Sequence, residues 1–232
     1  MIEVVALDGD DTLWHNELQF SMTQQQFCEL VAPYAPETDL DQRLLETERR
    51  NLRTYGYGVK SFALSMIETA IEVSGGRVPV KVIEAILDAG KAMLSHPVEL
   101  LDGVEEAVGA LEDRYTLMVI TKGDLFHQES KLARSGLAER FAHVEIVSEK
   151  DESTYRRIIE RQGVAPASFL MAGNSLRSDV LPVAALGAHA VHVPFHVTWV
   201  LEDVEPEEAA RYQFSTISSL FELPDLVERL GA

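Results

Sequence analysis

Hydrophobic and polar positions fall into distinct regimes along the chain. Val4-Val5-Ala6-Leu7 is an uninterrupted apolar run that ends abruptly in Asp8-Gly9-Asp10-Asp11-Thr12. Apolar residues in succession, without polar alternation, predict a strand covered on both faces, hence one at the centre of a sheet. From Leu18 the spacing becomes helical and stays so until about Pro97. Phe20, Phe27, Leu30 and Val31 share one face of a first helix, which Pro33 to Pro36 ends. Leu40, Leu44 and Leu45 mark a second, stopped by Tyr55-Gly56-Tyr57-Gly58. A third takes Ser61 as N-cap and aligns Ala63, Met66, Ile67, Ala70 and Ile71 before Gly75-Gly76. Ile83, Ile86, Leu87 and Leu94 define a fourth, which fades before His96-Pro97. Amphipathic helices in succession with short connections predict a small bundle.

From Leu101 onward strands and helices alternate, the signature of a parallel sheet with helices on its faces. The expected strands are Tyr115 to Ile120, His143 to Val147, Phe169 to Ala172 and His189 to Val193, with Gln213 to Ile217 as a further candidate. Between them lie a helix from Val104 to Leu111, one ending at Ser135, one through Ile158 and Ile159, a short one with Pro182 in its first turn, and a last one from Leu226 to Leu230. Polar strand ends occur only here and after the first strand. The sheet domain is therefore expected to be discontinuous, residues 1–15 and 98–232, with residues 16–97 inserted as the bundle. The fold class is α/β, a Rossmann-like parallel sheet core with an inserted α-helical domain.

Composition narrows the functional classes. A chain of 232 residues with 46% hydrophobic content can build a core without staples. The single cysteine, Cys28, excludes an intrachain disulfide and any zinc cluster of thiols. Apolar runs are too short for a bilayer span, and the N-terminus lacks the basic and apolar regions of a signal peptide, so a cytoplasmic protein without a membrane partner is expected. The net charge of -18 repels nucleic acid and anionic surfaces. An anionic substrate must then be drawn in by a local cation or by backbone amides. Oligomeric state is not legible in the sequence.

Ligands of open α/β sheets bind beyond the carboxyl ends of the strands, which puts Asp8 and Asp10 where chemistry is usually done; the alternative is an acidic turn. The stretches LDGDDT, ITKGD, SEKDES and GNSLRSD, in this order and each at or near the end of a predicted strand, resemble the motifs of the haloacid dehalogenase-like (HAD) hydrolase superfamily. The helical insertion after the first motif resembles that superfamily's cap. In its phosphatases the resemblance implies Asp8 as nucleophile, forming an aspartyl-phosphate, and Asp10 as general acid and base. Gly9 between them is expected to let the chain bend so that both reach one phosphate. Thr121, with the amides of Lys122 and Gly123, is expected to hold the phosphoryl oxygens, and Lys150 to neutralise nucleophile and phosphate, with Lys122 as a competitor for that charge.

The resemblance also implies Mg²⁺, bound by the Asp8 carboxylate, the Asp10 backbone carbonyl and a carboxylate of the last motif. Here the chain departs from the commoner pattern: Asn174 stands where an Asp is frequent, leaving Asp179 as that loop's carboxylate. The expectation is that Asp179 coordinates directly or through water, while Asn174 supplies a neutral oxygen or orients Asp179. Asp151 likewise stands where many relatives have Pro. Trp14, beside His15 and Asn16 at the exit to the bundle, is a candidate for substrate contact or for packing at the hinge. His15 has no second His or Cys at ligand spacing, and His192, His196 and Trp199 read as structural or rim residues.

The expected function is a Mg²⁺-dependent phosphatase acting on a small phosphorylated metabolite. Asp10 argues against a dehalogenase, because a departing halide needs no acid. Phosphonate cleavage would need a Schiff-base lysine in the insertion, where Lys60, Lys81 and Lys91 all sit on solvated patterns. A mutase of the same fold and a catalytically weak binding protein are the alternatives.

Overall fold

A computed structural model describes residues Met1 to Gly231. They divide into two compact units: Met1–Glu17, Val98–Lys122 and the chain from Gln128 onward form one, and Leu18–Pro97 with Gly123–His127 form the other.

The second unit is helical: α1 (Glu17–Val31), α2 (Leu40–Tyr55), α3 (Val59–Val73) and α4 (Val80–Ser95). Phe27, Val31, Leu44, Phe62, Met66, Ala70 and Ile86 fill its core. Asp39 caps α2, its carboxylate accepting the Gln42 N–H. The third helix begins earlier than the sequence predicts: Gly58 precedes it, and Ser61 lies buried within its first turn instead of capping it. Its inward face is correspondingly rotated. Phe62, Ser65, Met66, Thr69 and Ala70 face the core, whereas Ile71 is exposed, as is Leu87 on α4. The physical reason is polar: Ser65 Oγ accepts the Asn51 Nδ2 amide at 3.1 Å, so small polar residues occupy positions that hydropathy alone assigns to solvent.

The first unit is built on a six-stranded parallel sheet, in the order β3-β2-β1-β4-β5-β6. Its strands are β1 (Val4–Leu7), β2 (Thr116–Lys122), β3 (His143–Val147), β4 (Phe169–Gly173), β5 (His189–His192) and β6 (Ser215–Thr216). Its helices are α5 (Val104–Leu111), α6 (Leu125–Arg134, whose first turn groups with the helical unit), α7 (Glu152–Gln162), α8 (Leu181–Ala185), α9 (Pro206–Ala209) and α10 (Leu223–Gly231). β1 is central, as its apolar run predicts. Val5 and Leu7 pack under α5 and α10, while Val4 and Ala6 pack against α7 and α8 on the opposite face.

Strand order reverses between β1 and β4, the place where open α/β sheets leave a crevice at their carboxyl ends. Leu7 lies level with Val119 and Ala172, so the residues that follow β1 and β4 emerge side by side. β2 runs two residues past its expected end at Ile120, because β3 stays paired through Thr121↔Ile146 and Lys122↔Val147. After β4 the chain forms a π-helical turn, Leu176–Val180, before α8, with Ser175 Oγ accepting the Ser178 N–H at its start. Asp151 caps α7 by accepting the Thr154 N–H at 2.7 Å.

Candidate active site

The first motif turns immediately beyond β1. The amides of Thr12, Leu13 and Trp14 all reach back to the Gly9 carbonyl, and Asp11 takes a left-handed φ of 60° to complete the turn. The bend therefore sits at Asp11, not at Gly9. What Gly9 supplies is room: a Cβ there would lie 2.8 Å from Trp14 Cζ2. The Asp11 carboxylate accepts the N–H groups of Asn16 and Glu17, and burial pushes its carboxyl up to about 7.

Asp8 points into the sheet's polar end. Thr12 Oγ1 donates to its Oδ2 at 3.2 Å and accepts the Asn174 N–H at 3.0 Å, tying the first motif to the last. Lys150, from the loop after β3, puts its ammonium against Asp8 Oδ1 and 2.6 Å from Asp179 Oδ1. Asp179 is 1% exposed, and its second oxygen accepts the Ser175 N–H at 3.0 Å. Two carboxylates thus share one ammonium in a buried cluster with a surplus negative charge. Burial, with Asp179 and Asp10 nearby, pushes the Asp8 carboxyl up to about 7 in spite of Lys150. Burial works against the Lys150 ammonium, but Asp179 and Asp8 outweigh it and hold it charged above its usual range.

Asp10 is bound by a separate set of donors. Trp14 Nε1 and Lys131 Nζ each lie 2.7 Å from its Oδ1, and Gln128 Nε2 lies 2.8 Å from its Oδ2. Burial would raise this carboxyl, yet the Lys131 charge and these three donors hold it below the usual range. Lys131 also donates to Asn16 Oδ1 at 2.6 Å. Trp14, a candidate for substrate contact, is corrected here: at 1% exposure its ring is walled in and its indole N–H is committed to Asp10.

Thr121 is buried one residue before the end of strand β2, beside Gly9. The Lys122 ammonium is not at Asp8: it reaches Ser178 Oγ at 2.8 Å, Glu202 Oε1 at 2.6 Å and Glu149 Oε1 at 3.4 Å. Of the two lysines considered for Asp8, the structure places Lys150 there. Gly123 groups with the helical unit, with Asp124 and its ion pair to Lys60 at 3.0 Å.

Asn174 keeps its backbone engaged, through Thr12 and through a carbonyl contact of 3.1 Å to His192 Nε2, and burial lowers the imidazole's proton affinity. His15 stands edge-on to Phe195 at 5.9 Å, and Phe195 lies 4.2 Å from the His196 ring. Among the described residues, no group of three or more His, Cys, Asp and Glu side chains could hold a metal ion. The donors expected from the sequence, the Asp8 and Asp179 carboxylates, the Asp10 backbone carbonyl and the Asn174 amide oxygen, include no nitrogen or sulfur. An all-oxygen set beside a surplus negative charge fits a small hard cation that keeps several of its waters.

Sequence reasoning missed Lys131 and Gln128, which lie 121 and 118 residues from the Asp10 they bind. It also missed Glu202, whose Oε2 accepts both Ser175 Oγ and Ser178 Oγ at 2.5 Å. The only signal was local: a lysine and a glutamine spaced i, i+3 on an otherwise core-facing stripe of α6.

Comparison with known proteins agrees with this geometry. The family model of haloacid dehalogenase-like hydrolases matches residues 2–187. A haloacid dehalogenase-like family hydrolase from Xanthomonas campestris is 41% identical, with a TM-score of 0.88 over 99% of this chain and 91% of that one. The chain belongs to the haloacid dehalogenase-like hydrolase family. A 2-haloacid dehalogenase from Pseudomonas syringae pv. Tomato shares the fold at 20% identity and a TM-score of 0.63, covering 99% of both chains. A protein assigned as a HAD-type hydrolase from Bacillus subtilis, solved with magnesium bound, shares it at 16% identity and a TM-score of 0.65 over 97% and 98% of the chains. A search of curated proteins returned no match. As a HAD-family hydrolase the chain is an enzyme, and no helix among its described residues is long and apolar enough to cross a membrane.

Proposed function

We propose that this HAD-family hydrolase is a Mg²⁺-dependent phosphatase that acts on a small phosphorylated metabolite through an aspartyl-phosphate on Asp8, the helical unit serving as the cap that selects substrate. The second carboxylate carries this reading. Asp10 follows Asp8 by two residues and sits among three donors. A departing halide needs no proton, whereas an alkoxide does, so this investment suits phosphoester rather than carbon–halogen cleavage.

In the reaction an Asp8 oxygen attacks phosphorus, the bond from phosphorus to the leaving oxygen breaks, and that oxygen takes a proton from Asp10. Water then attacks phosphorus of the acyl phosphate, gives a proton to Asp10, and releases inorganic phosphate from a restored Asp8. The substrate dianion, docked beside Asp10, pushes that carboxyl's proton affinity up against the pull of Lys131. Lys150 neutralises Asp8, while the Thr121 hydroxyl and the Lys122 amide hold phosphoryl oxygens. Asp8, the Asp10 carbonyl and Asn174 would hold Mg²⁺, which when bound offsets the charge of the phosphate. Asp179, with one oxygen on Lys150 and the other on the Ser175 N–H, supports the site by orienting Lys150.

Hydrolysis of p-nitrophenyl phosphate with MgCl₂ or with EDTA, and with Asp8→Asn as control, tests the reading. Turnover that requires Mg²⁺ and falls to background in Asp8→Asn is expected. Metal-independent turnover sinks it, as would chloride release from 2-chloropropionate in place of phosphate release. A folded protein inactive on every phosphomonoester would favour the binding-protein alternative.

A further inference from the structure

Helix α6 buries three polar side chains, His127 at 5%, Gln128 at 4% and Lys131 at 7% exposure, the last two beside the core residue Leu132. Burying an ammonium and an amide is costly unless each finds partners. Lys131 finds Asp10 Oδ1 and Asn16 Oδ1; Gln128 Nε2 finds Asp10 Oδ2 and the Lys122 carbonyl, the latter at 2.8 Å. Gln128 Oε1, however, is buried with no hydrogen-bond partner among the described residues. A buried acceptor without a donor is destabilising, so the amide's orientation serves Asp10 at the expense of stability.

A carboxylate offers about four lone-pair positions. On Asp10 two donors occupy Oδ1 and one occupies Oδ2, which leaves the uncommitted position on Oδ2. Charge balance alone would need one cation in any pose. The observed set fixes the rotamer as well, and through Asn16, whose N–H donates to Asp11 at 2.9 Å, links it to the turn that closes the first motif.

We propose that Lys131, seconded by Gln128, is the positioning residue of Asp10, pinning Oδ1 so that Oδ2 is the oxygen that exchanges the proton with the leaving group. Lys131 acts through Asp10 and does not touch substrate. This inference rests on the phosphatase reading above. It predicts a particular kind of defect: a mispositioned acid hurts the expulsion of a basic alkoxide far more than that of p-nitrophenolate, which departs without a proton.

The test compares kcat/KM of the holoenzyme with Mg²⁺ on p-nitrophenyl phosphate and on β-glycerophosphate, for wild type, Lys131→Met, Lys131→Arg and Asp10→Asn. General acid catalysis contributes about 10²–10⁴-fold. Lys131→Met is expected to shift the ratio of the two constants against β-glycerophosphate by about tenfold or more, in the same direction as Asp10→Asn and by less. Lys131→Arg keeps the charge but replaces the single ammonium on Asp10 Oδ1 and Asn16 Oδ1 by a larger planar group; it is expected to shift the ratio the same way, and it carries the test should the methionine variant not fold. An unchanged ratio in the folded variants, whether their rates fall equally on both substrates or not at all, overturns the positioning role while leaving the phosphatase reading intact. Wild-type protein inactive on both substrates overturns the two together.

Discussion

Lys150 is the residue on which the buried charges of the site balance. Its ammonium is shared by Asp8 and Asp179, and all three side chains are shielded from water. Removing one partner of a buried ion pair leaves uncompensated charge, which typically destabilises by about 3–5 kcal/mol. Lys150→Met is therefore expected to lower the free energy of unfolding by that order in urea titrations at pH 8. The sign of its pH dependence follows from the carboxylates left behind. Without the ammonium, burial and mutual repulsion raise their folded pKa values further, and Asp8 already stands at about 7. An acid whose folded pKa exceeds its unfolded value loses stability as pH rises between the two. The defect should accordingly be smaller at pH 5, where the pair can share a proton. An equal loss at both pH values would show that Lys150 matters for its packing alone.

At the scale of elements, α2 carries a similar imbalance. Burial pushes the Glu48 carboxyl up to about 7 from an ordinary 4.5. Below about 4.5 it is neutral in folded and unfolded chains alike and contributes nothing to the difference. Between those values the folded state retains a proton that the unfolded state has lost, so stability falls as pH rises and the full penalty is present above about 7. Glu48→Gln should thus stabilise the protein at pH 8, by about 1–3 kcal/mol after allowing for partial exposure, and leave it unchanged at pH 4. Thermal unfolding at the two pH values checks this; a gain at pH 4 would contradict it. Elements also decide what a sequence can disclose. β1 is legible because its apolar run and acidic end are local, and the strand–helix alternation after Leu101 is equally local. The inward face of α3 is not, because the burial of Ser65 depends on its hydrogen bond from Asn51 on a neighbouring helix. Lys131 escapes for the same reason: its identity as a partner of Asp10 exists only once α6 is laid beside the end of β1.

Across the whole molecule the dominant quantity is charge. Thirty-eight acidic residues face 20 Lys and Arg, so the native fold compresses a net -18 and is weakened by self-repulsion. Any salt should relieve this by screening, which gives a nonspecific rise in Tm with ionic strength. Magnesium should do more. A ligand that binds only the folded state adds about 2.7 kcal/mol at 100 times its Kd, and for a chain of this size about 1 kcal/mol moves Tm by 2–4 °C. MgCl₂ at saturation is therefore expected to raise Tm about 5–10 °C beyond NaCl of equal ionic strength. The excess isolates the site from the field, since screening is common to both salts. It should vanish in Asp8→Ala and widen in Asn174→Asp, which restores a carboxylate to a position now neutral and makes the cluster more negative. That second variant should also be less stable than wild type in EDTA, because without the cation its added charge joins Asp8 and Asp179 around the single Lys150 ammonium. Opposite signs with and without magnesium are what direct coordination at residue 174 requires. The same sign in both conditions would show that Asn174 shapes the loop without holding the ion.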